Sequence, residues 1–203
     1  MKVQLEKTYP MPCTAEVAWE FLQNVEAVAA CMPGAKITER VAANRYTGTV
    51  TVKVGPATMS FRGEVEMKDV DQAARSLRLL GKGTDSTGSS GVSMNLAARV
   101  EAADGTRCNL IGSSEVSMSG KAAAFGGRMM NTVADQILKQ FAENFATQVA
   151  ALQARAAATA GGSSAAATPP PIPPPASTEL NGLALLWSIL KDWLRGLFSR
   201  KTA

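Results

Sequence analysis

Four stretches between residues 46 and 118 carry an apolar side chain at nearly every second position, with polar or small residues between them. A period of two is typical of antiparallel strands that turn one face to a core and the other to solvent. Turn-forming residues separate the stretches, and the clearest of these turns is Asp104-Gly105, a strong hairpin signal. The chain must therefore fold around a one-sided sheet. The predicted strands cover residues 46–54, 57–68, 92–100 and 108–118.

Helical periodicity flanks this region on both sides. Thr14 is the predicted N-cap of a helix over residues 15–23, and a longer helix is predicted over about residues 128–156. The order of the predicted elements is a strand, a helix, a long meander and a long helix. This order predicts an α+β fold, in which a curved antiparallel sheet wraps the last helix. The apolar stripe of that helix consists of Met130, Val133, Ala134, Ile137, Phe141, Phe145, Val149 and Leu152.

The inward positions of the strands favour a deformable apolar cavity between the sheet and the long helix. Methionine is frequent at these positions, although methionine also fills ordinary cores. Gly48, Gly63, Gly81 and Gly112 fall within strands, where they either mark strong curvature or thin the wall of a cavity. The predicted ligand-binding residues are Tyr46, Val50, Val52, Met59, Phe61, Val65, Met94, Leu96, Ala98, Met130, Val133, Ile137 and Phe141.

The absence of histidine excludes a Ser-His-Asp triad, a histidine general base and histidine metal ligands. Cys13, Cys31 and Cys108 form no Cys-x-x-Cys pair, so we expect reduced cysteines and no zinc site. The net charge of +4 comes without a basic stripe in the main body, so no nucleic-acid partner is expected. We predict no catalytic residue, because the strand carboxylates all fall on outward positions, namely Glu64, Glu66, Glu101 and Glu115.

Composition divides the chain into three segments. Residues 1–152 are patterned and form the predicted ligand-binding domain, whereas residues 153–178 are rich in alanine, glycine and proline. A segment of that composition cannot bury a core, so we expect a disordered linker with a stiff polyproline II stretch. The third segment, residues 179–203, is predicted to be an amphipathic helix.

This terminal helix separates apolar from polar residues at a helical period. Charged residues near its middle disfavour crossing a bilayer, and its tryptophans suit a position in the membrane interface. Four basic residues against two acidic ones favour anionic lipid, although docking in a partner's groove is the alternative. The predicted membrane-binding residues are Leu183, Leu186, Trp187, Leu190, Trp193, Leu194, Leu197, Phe198, Arg195, Arg200 and Lys201.

Three motifs occur in order over about the first 150 residues. Residues 24–35 contain the run Ala-Ala-Cys-Met-Pro-Gly, and Gly55-Pro56 is followed by F-x-G-x-V-x-M-x-D-x-D over residues 61–71. The third motif begins at Gly120-Lys121 and continues through a diglycine into the long helix, as far as Asn144-Phe145. Together these motifs resemble the family of CoxG, a subunit of carbon monoxide dehydrogenase.

The resemblance implies a helix-grip domain of the START/SRPBCC superfamily. It also implies association with a molybdenum hydroxylase, chiefly the carbon monoxide dehydrogenase complex, and a bound quinone in place of any covalent or metal cofactor. We therefore expect a non-catalytic quinone-binding adaptor in the cytoplasm, peripheral on the inner face of the cytoplasmic membrane. The alternatives are an assembly or maturation factor for the dehydrogenase, and a cyclase-like enzyme of the same superfamily.

Overall fold

The computed structural model describes residues 1–161, so the predicted membrane helix and most of the predicted linker lie outside the described residues. The described part contains a seven-stranded sheet, three α-helices and one short 3₁₀ helix. The strands are β1 (Lys2–Met11), β2 (Ala35–Ala42), β3 (Arg45–Val54), β4 (Ala57–Asp71), β5 (Ser76–Asp85), β6 (Ser90–Ala102) and β7 (Cys108–Gly120). The α-helices are α1 (Ala15–Leu22), α2 (Val25–Cys31) and α3 (Gly127–Gly161), and the 3₁₀ helix is Lys121–Phe125.

All neighbouring strands of the sheet are antiparallel. Strands β2 to β7 follow one another across the sheet in sequence order, so β2 forms one edge. Strand β1 forms the opposite edge and pairs with β7. Thr14 caps α1 as predicted, since its hydroxyl accepts a hydrogen bond from the Val17 amide at 3.5 Å. The predicted α+β fold, with a curved antiparallel sheet and a long C-terminal helix, is confirmed.

Glycines in register allow the sheet to bend across β3, β4 and β5. Gly48 pairs with Gly63, and Gly63 pairs with Gly83. A Cβ atom at Gly63 would collide with the carbonyl oxygen of Lys82, and a Cβ atom at Gly48 would lie 2.6 Å from the carbonyl oxygen of Lys36. Because only glycine permits such close approach of backbones, Gly48 and Gly63 have the first of the two predicted roles, curvature.

The larger apolar core lies where α1, α2 and the C-terminal half of α3 close one end of the sheet, and we call it the basal cluster. Phe145 is completely buried there, with its ring edge-on to Phe21 at a centroid distance of 4.9 Å. Edge-to-face pairs of this kind stabilise a core beyond simple burial. The buried members are Met11, Cys13, Ala15, Ala18, Trp19, Phe21, Leu22, Cys31, Leu77, Ala98, Val100, Cys108, Leu110, Ala142, Phe145 and Val149.

A smaller apical cluster lies at the opposite end of the strands, beside the 3₁₀ helix and the start of α3. Its buried members are Val3, Met118 and Ala122. The partly buried residues packed against them are Met1, Leu5, Met59, Phe61, Val92, Val116 and Met130. The inner face of the sheet is thus packed at both ends by separate groups of side chains.

The first family motif, residues 24–35, resembles a loop of the family, so a loop is predicted there, but helix α2 occupies Val25–Cys31. The Asn24 side chain accepts a hydrogen bond from the Ala27 amide at 3.0 Å and so caps the new helix. The following alanines favour continuation of the helix until Cys31. The prediction of a loop was wrong because this N-cap was not recognised.

Two other element boundaries differ from the sequence prediction. The glycine- and serine-rich residues 83–91 predict a turn, but β5 continues to Asp85 and β6 begins at Ser90, so the turn covers only residues 86–89. Helix α3 continues to Gly161, past its predicted end and into the predicted linker. Its last turns are exposed and rich in alanine, so intrinsic helix propensity rather than packing accounts for the extension.

Candidate ligand-binding cup

The strand register aligns residues of the inner face in rows across the sheet. Val65, Gly81 and Met94 face one another on β4, β5 and β6, and Leu96 lies in the next row. These four residues are half-buried and belong to neither the basal nor the apical cluster. Together with Tyr46 on β3, they form the sheet side of a region that we call the cup.

Helix α3 forms the other side of the cup. Met130 packs against the apical cluster and Phe141 packs against the basal cluster. Val133 and Ile137 lie between them on the same helical stripe and are half-buried, so they face the gap between the two clusters. The cup is therefore apolar on both sides.

The packing of α3 against the sheet differs along the helix and across the strands. Its backbone approaches β1 and β3, near the two margins of the sheet, more closely than the central strands β4, β5 and β6. Residues 127–141 include no fully buried side chain, whereas the next turns bury Ala142, Phe145 and Val149. Packing is thus tight over the basal cluster and loose over the cup, as a space for an apolar ligand requires.

Two glycines lie on the inner face of the sheet beside residues of the cup. A Cβ atom at Gly81 would have the Met94 side chain as its nearest neighbour at 3.4 Å, and a Cβ atom at Gly112 would have the Leu96 side chain at 3.7 Å. These are ordinary van der Waals distances, so no backbone contact forces glycine at either position. The first predicted role, close backbone approach at a bend, therefore does not apply to Gly81 and Gly112, and the second, a thinner wall of a cavity, stays a prediction.

The predicted ligand-binding residues are distributed over three regions. The residues in the cup are Tyr46, Val65, Met94, Leu96, Val133 and Ile137. Those at the apical end are Met59, Phe61 and Met130, with Val50 and Val52 leading towards the β3–β4 hairpin. The last two are Ala98 and Phe141, which lie in or against the basal cluster and serve as core residues.

One charged residue on the inner face was not predicted from the sequence. Lys7 shares the inward side of β1 with Leu5 and Tyr9, and its Nζ lies 2.8 Å from the Asp135 carboxylate on α3. The ion pair joins the helix to the margin of the sheet. The alternation over residues 2–11 is the sequence signal that places Lys7 on this side.

Lys7 and Tyr9 near the cup, and Cys13 in the adjoining core, hold their protons at neutral pH. The hydrogen bond to Asp135 and the charge of that carboxylate raise the pKa of Lys7, and burial raises the pKa of Tyr9. In the basal cluster, burial and the nearby Cys108 raise the pKa of Cys13 to about 12. A protonated amine, phenol or thiol is neither a base nor a nucleophile at neutral pH, so these groups suit binding better than chemistry.

The outer face of the sheet carries a different kind of concavity. An open groove of about 890 Å³ crosses the strands along a row of outward side chains. The row consists of Thr47, Glu64, Lys82, Ser93 and Ser117. Hydroxyl and charged groups of this kind do not favour a lipophilic molecule, so the cup remains the candidate ligand site.

Two further properties concern residues 1–161 only. Among these residues, no group of three or more histidine, cysteine, aspartate or glutamate side chains is placed to hold a metal ion. No helix in this part of the chain combines the length and the apolar character that crossing a membrane requires.

Comparison with known proteins decides the family. The family model for CoxG, described as a subunit of carbon monoxide dehydrogenase, matches residues 10–150, which is more than half of the chain. The chain belongs to the CoxG family. None of the curated proteins compared with this CoxG-family protein matches it. The resemblance inferred from the three sequence motifs is thereby confirmed.

Solved structures share the fold of this CoxG-family protein at low sequence identity. A conserved protein from Geobacillus kaustophilus has a TM-score of 0.66 at 19% identity, covering 73% of the CoxG-family chain and 95% of its own. The ZhuI aromatase/cyclase from Streptomyces sp. R1128 has a TM-score of 0.53 at 16% identity, and the match covers 73% of the CoxG-family chain and 94% of the cyclase. A START superfamily protein from Mycobacterium smegmatis has a TM-score of 0.53 at 14% identity, with coverages of 73% and 98%. These similarities confirm the predicted START/SRPBCC helix-grip fold.

The three CoxG motifs all contact or lead into α3. In the first motif, the Cys31 carbonyl accepts a hydrogen bond from the Asn144 side chain at 2.9 Å. In the second, a Cβ atom at Gly55 would lie 4.0 Å from the Cε atom of Met129. The third motif runs directly into the helix, where the Gly126 carbonyl accepts from an amide of the first turn. The motifs that identify the family therefore position the helix over the cup.

Proposed function

We propose that this CoxG-family protein is a non-catalytic quinone carrier. In this proposal it recruits a molybdenum hydroxylase, carbon monoxide dehydrogenase in the first instance, to the cytoplasmic membrane. The observation that supports it best is the cup, an apolar and loosely packed region between two well-packed clusters. A lipid-soluble electron acceptor does not reach a soluble dehydrogenase easily, and an apolar carrier removes that obstacle.

The lining of the cup suits the chemistry of a quinone. Its ring and tail are apolar and require apolar walls, which Met94, Leu96 and Ile137 provide. Its carbonyl oxygens require hydrogen-bond donors. Donors on the inner face occur at the β1–β7 margin, where Lys7, Tyr9 and Ser114 lie.

The protonation of these polar groups supports binding rather than catalysis. A cyclase of this superfamily would need a base or a nucleophile facing its substrate. Lys7 is instead paired with Asp135, and the pKa values of Lys7 and Tyr9 are both raised. The same groups remain competent donors for a carbonyl oxygen at neutral pH.

The adaptor part of the proposal combines the family with the predicted terminal segment. The family is described as a subunit of carbon monoxide dehydrogenase, which indicates the partner. Residues 179–203, placed on the cytoplasmic leaflet, would keep the carrier beside the quinone pool. The linker would then allow the domain to move between membrane and dehydrogenase.

The proposal predicts that the protein accelerates quinone reduction by a mature dehydrogenase. Purified dehydrogenase is mixed with vesicles that contain ubiquinone-10, with and without the full chain, and quinol formation is followed by absorbance. We expect a rate that rises with the concentration of the carrier until the dehydrogenase is saturated. A protein that acts only when co-expressed with the dehydrogenase, and not when added to the mature enzyme, would be an assembly factor instead.

Removal of residues 179–203 is expected to release most of the protein from membranes. Vesicles containing anionic phosphatidylglycerol should co-sediment the full chain but little of the shortened chain, because the predicted interfacial helix is lost. The thermal midpoint should not change, since both apolar clusters lie within residues 1–161. Equal co-sedimentation of the two proteins would instead favour docking of this helix in a partner's groove.

A further inference from the structure

The apical end of the domain exposes apolar side chains around the cup. Val50 on β3 is 38% exposed and Met129 on α3 is 42% exposed, although both are large apolar residues. Met129 lies against Gly55 at the tip of the β3–β4 hairpin, which brings the hairpin and the start of the helix together. Since Val52 and Met130 beside them are half-buried, the exposed residues continue into the apolar interior.

Three basic residues lie in elements at the same end of the domain. Lys53 is on the hairpin, Arg128 is in the first turn of α3, and Lys121 opens the 3₁₀ helix. The Lys121 amide donates to the Ser89 carbonyl at 3.2 Å, so the 3₁₀ helix adjoins the β5–β6 turn at the same end. We call the set of Val50, Lys53, Lys121, Arg128 and Met129 the apical rim.

The charges of the apical rim are not balanced by nearby carboxylates. Among residues 1–161, Lys53, Lys121 and Arg128 make no ion pair. Asp85, the last residue of β5, is the acidic residue next to the β5–β6 turn. Its carboxylate already accepts hydrogen bonds from the hydroxyls of Thr87 and Ser89 and from the Ser90 amide.

Three arginines at the basal end of the domain are paired with carboxylates. Arginines of β5 and of the turns beside it are paired, with Arg75 2.6 Å from Glu16 and Arg78 3.5 Å from Asp69. Arg107 lies 2.8 Å from Asp104 in the β6–β7 turn. At the apical end, by contrast, Lys53, Lys121 and Arg128 are free of ion pairs within residues 1–161 and lie at the same end as exposed Val50 and Met129.

We infer that the apical rim docks on an anionic lipid surface, so that the apical end of the domain faces the membrane. Basic residues that surround a few apolar side chains are the chemistry that binds anionic headgroups and enters the interface. The rim is too small to hold the protein alone, and it acts once residues 179–203 have brought the domain to the membrane. This inference rests on the proposed role of the cup as a carrier site.

The test uses the full chain with a fluorescent label at the rim. The variant Met129→Cys is labelled with an environment-sensitive nitrobenzoxadiazole dye, and native Cys13, Cys31 and Cys108 are buried and react little. Vesicles with about 30% phosphatidylglycerol should shift the emission to the blue, and spin-labelled lipid should quench it. The matched control, Thr106→Cys in the exposed β6–β7 turn, should show neither change.

Charge reversal at Lys53, Lys121 and Arg128 together should abolish the blue shift at residue 129 while the protein still co-sediments through its terminal helix. An unchanged emission at residue 129 with bound vesicles would overturn the inference, and so would equal shifts at residues 106 and 129. A shift on adding the dehydrogenase but not vesicles would overturn it too, and would make the rim a protein interface. Stabilisation by quinone is measured separately on the same variants, so failure of the carrier role is distinguished from failure of the rim.

Discussion

Replacement of Phe145 by alanine is expected to lower the free energy of unfolding by about 3–5 kcal/mol. Phe145 is completely buried. The centroid of its ring lies 4.9 Å from that of Phe21 and 5.7 Å from that of Phe141. The loss combines burial, the cavity left behind and two aromatic contacts. Urea denaturation followed by circular dichroism measures it directly.

The matched control is Leu152→Ala, on the same stripe of α3 but 37% exposed. It should change the stability by no more than about 0.5 kcal/mol. Phe145 also lies outside the cup, so the alanine variant should still be stabilised by a ligand at a temperature where it is folded. A loss below about 1 kcal/mol for Phe145→Ala would contradict a tightly packed basal cluster.

The sheet and the long helix were predictable because their patterns are local. In β6, for example, Met94, Leu96 and Ala98 alternate with exposed residues, and one buried face is sufficient to produce that alternation. The stripe of α3 is equally local, since residues three and four apart share a helix face. Such patterns identify the strands and the inward side without any knowledge of the partners.

The extent of the cup was not predictable, because it depends on contacts between distant residues. Ala98 and Leu96 share one face of one strand, yet Ala98 packs in the basal cluster and Leu96 borders the cup. The difference arises because α1, α2 and the C-terminal half of α3 cover only one end of the sheet. Periodicity contains no information about which end is covered.

The ion pair between Lys7 and Asp135 could not be predicted either, because it too joins residues that are distant in the chain. Lys7 reaches Asp135 only because β1 pairs with β7 and α3 crosses that margin. Alternation places Lys7 inward, and helical period places Asp135 beside the apolar stripe, but neither predicts the pairing. Met129 is a third case, since it neighbours Met130 in the chain yet points to solvent.

Replacement of Gly81 by leucine is expected to abolish stabilisation by quinone. Gly81 lies between Val65 and Met94 in one row of the cup, and a side chain there would project from the inner face of the sheet into the cup. Its Cβ atom would meet only the flexible Met94 side chain and one carbonyl oxygen at 3.9 Å, so the backbone can accept the change. The free protein should therefore remain folded while the ligand space is filled.

In the wild type, decylubiquinone at about 100 times its dissociation constant should add about 2.7 kcal/mol of stability, equivalent to about 5–10 °C in thermal midpoint. The leucine variant should show no shift, and Gly81→Ala should show an intermediate one. The control Gly105→Leu lies in an exposed turn with no atom within 4 Å of the added Cβ, and it should respond like the wild type. If Gly81→Leu folds and is still stabilised fully, the ligand binds elsewhere and the cup is not its site. The absence of any shift in the wild type, with other quinones included, would remove the carrier proposal itself, because a carrier must be stabilised by the molecule it carries.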